Sequence, residues 1–520
     1  MNTATSSLTS QTANVTGREH AVGAVHRPAT TQEVLKLVAQ ARKTQTPLYP
    51  VSTGFNWGYG SASPAVAGCD LVDLSGMNRI LNADEISLSN PVAVIEPGVT
   101  QGQLYDFLQK RCPELTFNVS GSSRGTSILG NALDRGVGYF GPRKEDVFGL
   151  EVVCGSGKLL KTGFRRLGED SPLAHSHPYG LGPILDGLFF QGNFGIVTSG
   201  CFKLTPRRPK EVAVTLALYD SAKLGEFIDE MAHLKREGLL VSVTHIANSA
   251  RSHSSMMYGM CTYLEKNCGM SAPDAFAAAE KAIKLVAPNE WTSLGAVTGN
   301  KGQVSAALGE IKSRMRKLAR VTVVSNGLLD LGYAVMNTLR FIPQARALAA
   351  SIAALRPLHN LSVGVPTDVA IDNLMWKYGR SEWSAEKLDQ TNCGWIFISP
   401  ALPSDGKVVA SLLTGMTAVA AKHGHKLYTT VNIETSMSLV AVINLAFDRS
   451  KPEEVKVAHA CADELLQHIH SQKLSVYRAR ADSMPDIVSQ DPAYWKIVRG
   501  LKSELDPDNI IAPGRYNLAN

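Results

Sequence analysis

Apolar positions recur along this chain with two alternating periods, and those periods predict its elements before any motif is considered. Val34, Leu37, Val38 and Ala41 fall on one helical face, behind a capping box formed by Thr30 and Glu33. Residues 48–51 read as a short buried strand and 92–95 as another; the next helix is capped by Thr100 and Gln103 and carries Leu104, Phe107 and Leu108. Residues 150–153 and 158–161 flank Gly155-Ser156-Gly157, a hairpin signal, and strand 196–204 ends at the proline-bearing stretch 206–209.

Beyond Pro209 the texture changes. Strand 212–218, helix 221–235, strand 239–246 and an alanine-rich helix after Ser271 form one set. Strand 395–399, a helix within 406–423, strands 428–433 and 439–447 and a helix from about Pro452 form a second. Two such sets around a helical middle predict an α+β fold with an antiparallel sheet covered on one face by helices. A chain of 520 residues, 44% hydrophobic, exceeds what one core supports, so two domains are expected. The turn-rich tail from Leu505 is expected to return to the first of them.

Charge narrows the function classes. With 52 basic and 46 acidic side chains the net charge is +6, and no basic run interleaves with aromatics, so nucleic acid is not an expected partner. The eight cysteines are scattered singly, which predicts reduced, mostly buried thiols rather than a zinc site or a disulfide framework. No segment reaches eighteen uninterrupted apolar residues and the first twenty lack a signal-like pattern; a cytoplasmic protein without membrane association is expected. His423 and His425 read as cations at a helix C-terminus, and no metal is assigned. The RKEDVFG tract from Arg143 reads as a solvated loop.

Two glycine-rich stretches carry the candidate chemistry: PVSTGFNWGYG at 50–60 and GNALDRGVGY at 130–139. Gly54, Gly58 and Gly60 permit positive φ and close backbone approach, while Ser52, Thr53 and Asn56 offer short hydrogen-bonding side chains. Together they describe a nest of N–H donors for an anion such as a phosphate. The pattern is neither the dinucleotide fingerprint nor a P-loop, and loop chemistry alone favours an ordinary structural turn.

In order along the chain, PVSTGFNWGYGSASP, AVIEPGVTQGQLYDFL, GNALDRGVGYFGPRKEDVFGLEVV, QGNFGIVTSG, SVYRARADSM and DPDNIIAPGRY resemble the vanillyl-alcohol oxidase and p-cresol methylhydroxylase family of flavoproteins. The resemblance implies a two-subdomain FAD-binding domain of the p-cresol methylhydroxylase (PCMH) type over residues 1–209, rejoined by 477–520. Residues 210–476 would form an α+β cap domain with an antiparallel sheet. It implies that FAD is held by Ser52, Thr53, Gly54, Asn56 and Gly58 in the first loop and by Ser127, Gly130, Asn131, Gly136 and Gly138 in the second. Gly195 and Ile196 would lie near the adenine, with Arg515 in the tail.

The same resemblance places Tyr59, Tyr477 and Arg478 around a phenolate oxygen, where charge and hydrogen bonds favour the ionised phenol and hydride release. It implies an FAD-dependent oxidoreductase passing hydride from a phenolic or aryl-bearing small molecule to flavin N5, with O2 or an electron acceptor reoxidising the flavin and a homo-oligomer as the assembly.

Two departures from the family stand out. Phenol-oxidising members carry an Asp base shortly before the second loop, where this chain has Ser122, Ser123 and Arg124. Without that base, oxidative decarboxylation becomes an alternative to side-chain oxidation, with Arg124, His245 and Arg478 lining a carboxylate site. A non-catalytic flavin-binding protein is the third reading. The strand NCGWIFISP holds no His or Tyr to tether the flavin, and Phe55 stands where other members of the wider superfamily have a tethering His. Dissociable FAD is therefore expected, with Cys393 the one thioether candidate.

Overall fold

The computed structural model describes residues 13–377 and 384–517. Near the N-terminus, strand Asp70–Asp73 lies between Val25–His26 and Leu48–Val51, all parallel. Helix Thr31–Thr44 packs against this sheet through Val34, Val38 and Ala41, and the Thr30 hydroxyl accepts the Glu33 amide as its pattern predicts. The chain's last segment closes the layer: Leu48 N–H donates to Ile510 O and Ala512 N–H to Leu48 O, each at 2.7 Å. Lys502, 4% exposed, fixes that segment through Asp506 (2.5 Å) and Ile511 O (2.6 Å). A four-stranded antiparallel sheet follows, ordered Val92–Ile95, Gly195–Lys203, Val147–Cys154, Leu159–Lys161.

The third sheet is antiparallel and has eight strands: Ala319–Val324, Lys210–Leu218, Trp291–Gly299, Thr244–Asn248, Tyr428–Ile433, Ser438–Asp448, Cys393–Pro403 and Val476–Arg478. Period-two alternation sorts its two faces. Val212, Val214, Leu216 and Leu218 are buried against helices Leu224–Arg236, Lys301–Met315, Gly406–Lys422 and Pro452–Ser471. Each fully buried aliphatic side chain there contributes about 1.5–3 kcal/mol. Ala213, Thr215 and Ala217 point the other way, into a chamber that opens to solvent beside Arg320, Thr322 and Leu355.

The structure departs from the sequence expectations in four places. The middle expected to be helical also holds strands Trp291–Gly299 and Ala319–Val324; in the first, Thr292, Ser293 and Gly295 blur the apolar alternation. Helices do not cover one face alone, because Ser249–Cys268 and Pro343–Ser362 stand over the opposite face across the chamber. Residues 239–243 are not strand; Val243 N–H donates instead to Tyr139 O at 2.7 Å, tying the sheet to the second glycine loop. The boundary drawn at 476 cuts through Val476–Arg478, which pairs with Cys393–Pro403.

Candidate active site

Strand Leu48–Val51 runs directly into the first glycine loop, which with the second loop and the C-terminal segment walls a deep cleft. Ser52, Thr53, Gly54, Asn56, Ser127, Gly130, Asn131, Gly195 and Arg515 all line it. The two loops touch: Ser127 N–H donates to Thr53 Oγ1 at 3.1 Å, and a Cβ on Gly130 would come within 2.2 Å of Ser52 Oγ. Only glycine permits that approach.

Among the described residues, no protein acceptor takes the amide N–H of Thr53, Gly54, Phe55 or Asn56. A run of free donors at a strand end is what a pyrophosphate requires, so the cleft fits the dinucleotide that the motifs imply. Asn193 Oδ1, buried and without a partner, adds an acceptor to the same wall. Ser61, Gln191 and Ala512 also line it and hold left-handed backbone (φ 49°, 56° and 41°), a strain of about 1–3 kcal/mol each that clusters at functional sites.

Four predicted cofactor residues lie elsewhere. Gly58 packs beneath Phe397, where a Cβ would meet the ring at 2.3 Å. Gly138 abuts Asn118, and Ile196 is wholly buried in the core beneath the cleft. Gly136 lines the neighbouring chamber instead.

The inner end of the cleft is organised by Asp134. One oxygen accepts Arg478 Nε at 2.5 Å and the other accepts Arg515 Nη2 at 2.5 Å. Arg478 also donates to Asn56 Oδ1, and Arg515 to the Tyr49 hydroxyl at 2.9 Å. Two guanidiniums on one carboxylate leave a local excess of positive charge where the cleft meets a chamber of about 250 Å3.

Tyr59, Tyr477 and Arg478 all line that chamber. The Arg478 guanidinium sits 4.3 Å from the Tyr59 ring centre, and Tyr59 stacks on Phe397 at 5.1 Å. The Tyr59 hydroxyl shares a 2.7 Å hydrogen bond with Ser399, while that of Tyr477 donates to Arg135 O and lies 3.3 Å from Glu434 Oε1. Burial raises the Tyr59 phenol and the Glu434 carboxyl above their ordinary ranges, with Arg478 opposing the first and the Tyr477 contact the second.

His245 lines the chamber too, its Nδ1 2.7 Å from Asn432 Oδ1 and its ring 4.5 Å from that of Tyr139. Burial pushes its pKa down to about 4, so it is neutral near pH 7 rather than a cation for a carboxylate. Arg124 is not brought to the site: it forms a two-pronged pair with Asp106 at 2.9 Å, with 35% of its side chain exposed. Ser122 lines the chamber, hydrogen-bonded to Ser120 at 2.7 Å. Cys393 is fully buried beside Trp57 and Leu388 and lines neither the cleft nor the chamber. Arg143, expected in a solvated loop, is fully buried and donates to Asn131 Oδ1 at 3.1 Å.

Sequence reasoning passed over Arg251. It sits in the first turn of helix Ser249–Cys268, where Asn248 caps its amide, and lines the chamber with its guanidinium 6.0 Å from the Trp395 ring centre. Among the described residues no carboxylate pairs with it, and burial lowers its pKa. A cation in a first helical turn opposes the helix dipole, and that broken local rule was the available signal. Arg478, Tyr59, Phe397, Trp395 and Arg251 thus form one chain of ring contacts with a guanidinium at each end.

Residues 22–163 match the model of an FAD binding domain. The chain is 31% identical to 1'-carboxy-chondrochloren decarboxylase of Chondromyces crocatus over 96% of its own length and 91% of the relative's. It is 28% identical to the 4-cresol dehydrogenase [hydroxylating] flavoprotein subunit of Pseudomonas putida, over 96% and 88%. A crystal structure of p-cresol methylhydroxylase with substrate bound superposes with a TM-score of 0.81 at 25% identity, covering 99% of this chain and 93% of that one. No helix among the described residues is long and apolar enough to cross a membrane. With the free-amide cleft, these similarities establish that the protein is an FAD-dependent oxidoreductase of the vanillyl-alcohol oxidase and p-cresol methylhydroxylase family.

Proposed function

We propose that this enzyme oxidatively decarboxylates a phenolic small molecule that bears a carboxylate on its side chain. One observation carries the reading: Arg135, Arg251 and Arg478 line the substrate chamber, and among the described residues no Asp or Glu does. Oxidation that retains every carbon needs a base to take a proton from the side chain or to activate water. A departing carboxylate needs none.

In this reading the phenolate oxygen lies against Arg478 with the Tyr59 and Tyr477 hydroxyls, and the ring stacks along Phe397 and Trp395. Arg251, in place of Arg124, orients the carboxylate. Bound FAD supplies the hydride acceptor, at N5. The carbon attached to the ring gives up hydride, and the bond from the adjacent carbon to the carboxylate breaks. Its electron pair completes the new C=C bond and returns charge to the phenolic oxygen, which Arg478 meets as CO2 leaves. Tyr139 and neutral His245 close the chamber without competing for the carboxylate. The positive charge that Arg478 and Arg515 bring to Asp134 would suit a cofactor that is anionic when reduced, with O2 or an electron acceptor as the final oxidant.

We assign the FAD-binding unit to the chain up to residue 209 together with the segment from 479, and the cap to 210–478. The cofactor contacts fall to Ser52, Thr53, Gly54, Asn56, Ser127, Gly130, Asn131, Gly195 and Arg515. Side-chain oxidation with all carbons retained is favoured by one feature. Glu434, 4% exposed and raised by burial, lies within reach of the Tyr477 hydroxyl and would be the base.

Anaerobic mixing with 3-(4-hydroxyphenyl)propanoate is expected to bleach the flavin and release one CO2 per flavin reduced; a product retaining every carbon overturns the reading. Acid precipitation of the holoenzyme is expected to leave the yellow colour in the supernatant, because no nucleophilic side chain of the cap strand Cys393–Pro403 reaches the cleft. Colour in the pellet would establish a covalent tether.

A further inference from the structure

Behind the substrate chamber lies a second, of about 330 Å3. Tyr139, His245, Arg251, Leu358 and Thr430 line both, so the two share a wall. Ala213, Thr215 and Ala217 form the far chamber's sheet side, and Met256, Leu329 and Leu355 its helical side. Its volume is about twice that of the engineered 150 Å3 protein cavity that binds benzene, and it reaches the range of ligand pockets. Arg320, Thr322 and Leu355 on its rim are exposed, so the chamber opens to solvent and a ligand has a way in.

The wall is apolar but not featureless. Among the described residues, neither ring nitrogen of His359, 3% exposed and lining the chamber, has a partner, nor does Ser293 Oγ, on a residue 3% exposed. Nε2 of His245, on the shared wall, has no partner either. Leaving such groups unsatisfied is unfavourable, and a ligand carrying its own donor or acceptor would satisfy them.

We propose that this second chamber binds an apolar chain extending from the substrate beyond its carboxylate, with a carbonyl or hydroxyl on the chain hydrogen-bonding to His359. The inference rests on the reading above for the carboxylate at Arg251. The substrate class it defines is an elongated, amphipathic phenolic acid. The phenol occupies the first chamber, the carboxylate lies at the shared wall and the aliphatic tail fills the second chamber.

The test uses the holoenzyme and straight-chain saturated carboxylates of six to twelve carbons, read by perturbation of the flavin spectrum. Affinity is expected to rise about fourfold per methylene, the ratio that corresponds to about 0.8 kcal/mol per buried CH2, until the chamber is full. Ala217→Phe and Thr215→Leu fill the space from the sheet side. Each is expected to weaken the long acids at least tenfold while sparing reduction by 3-(4-hydroxyphenyl)propanoate, with flavin content and thermal midpoint near the parent's. Affinity independent of chain length, or a chain-length dependence both folded variants leave unchanged, overturns the proposal. Chain-length dependence without CO2 release from any phenolic acid sustains the chamber and overturns the decarboxylation. CO2 release with no chain-length dependence does the reverse.

Discussion

Asp134→Asn is expected to cost about 3–5 kcal/mol of stability and to strip the protein of most of its FAD. Asp134 is the anion that both Arg478 and Arg515 share, and their side chains are only 12% and 16% exposed. Asparagine keeps the volume and one acceptor but removes the charge, leaving two buried guanidiniums facing each other without a counter-ion. Repulsion then acts on both elements that Asp134 joins: strand Val476–Arg478, and the C-terminal segment that completes the layer at Leu48. The walls of the cleft separate at the point where they must converge on the cofactor. Denaturant unfolding with flavin fluorescence measures both losses. A variant within about 1 kcal/mol of the parent that retains its flavin would remove Asp134 from this role.

Arg251→Leu should behave in the opposite way. No carboxylate among the described residues holds Arg251, its position opposes the dipole of its own helix, and burial already disfavours its charge. Leucine relieves those costs, so the melting temperature is expected to hold or rise. Catalysis is expected to fall: losing two charge-assisted hydrogen bonds to a carboxylate is worth about 3–4 kcal/mol, or two to three orders of magnitude in kcat/KM for the phenolic acid. Arg251→Lys should recover part of this, since a point charge lacks the two-pronged geometry. A neutral para-alkylphenol, which brings no carboxylate, should reduce the flavin of the variant as it does that of the parent. Equal losses on both substrates would show that Arg251 shapes the chamber rather than recognising the acid.

Much of the site was legible in the chain because its signals are local. Thr30 and Thr100 cap their helices as their spacing predicts, and Ser52, Thr53 and Gly54 lie within one loop whose backbone faces the cleft. What stayed illegible depended on partners distant in sequence. Arg124 and Arg251 are both arginines in polar stretches. One is neutralised by Asp106 and the other lines a chamber; the first-turn position of Arg251 was the one local hint, and whether a carboxylate meets either is set by residues distant in sequence. Gly58 and Ile196 sit in the right motifs yet serve packing, the first beneath Phe397 and the second beneath the cleft.

The sequence by itself determined the order of most elements, because capping, turn chemistry and apolar period act over a handful of residues, and its six ordered motifs carried the resemblance that implied the cofactor and the family. It also determined that the family's usual aspartate is missing. The tertiary structure alone decided which charges meet. It set Asp134 between Arg478 and Arg515, left Arg251 without a carboxylate among the described residues, and opened a second chamber behind the sheet's alanine-lined face. Electrostatic pairing and cavity volume are properties of distance in space, and a sheet that joins residues 213, 245 and 430 sets those distances only once it has formed.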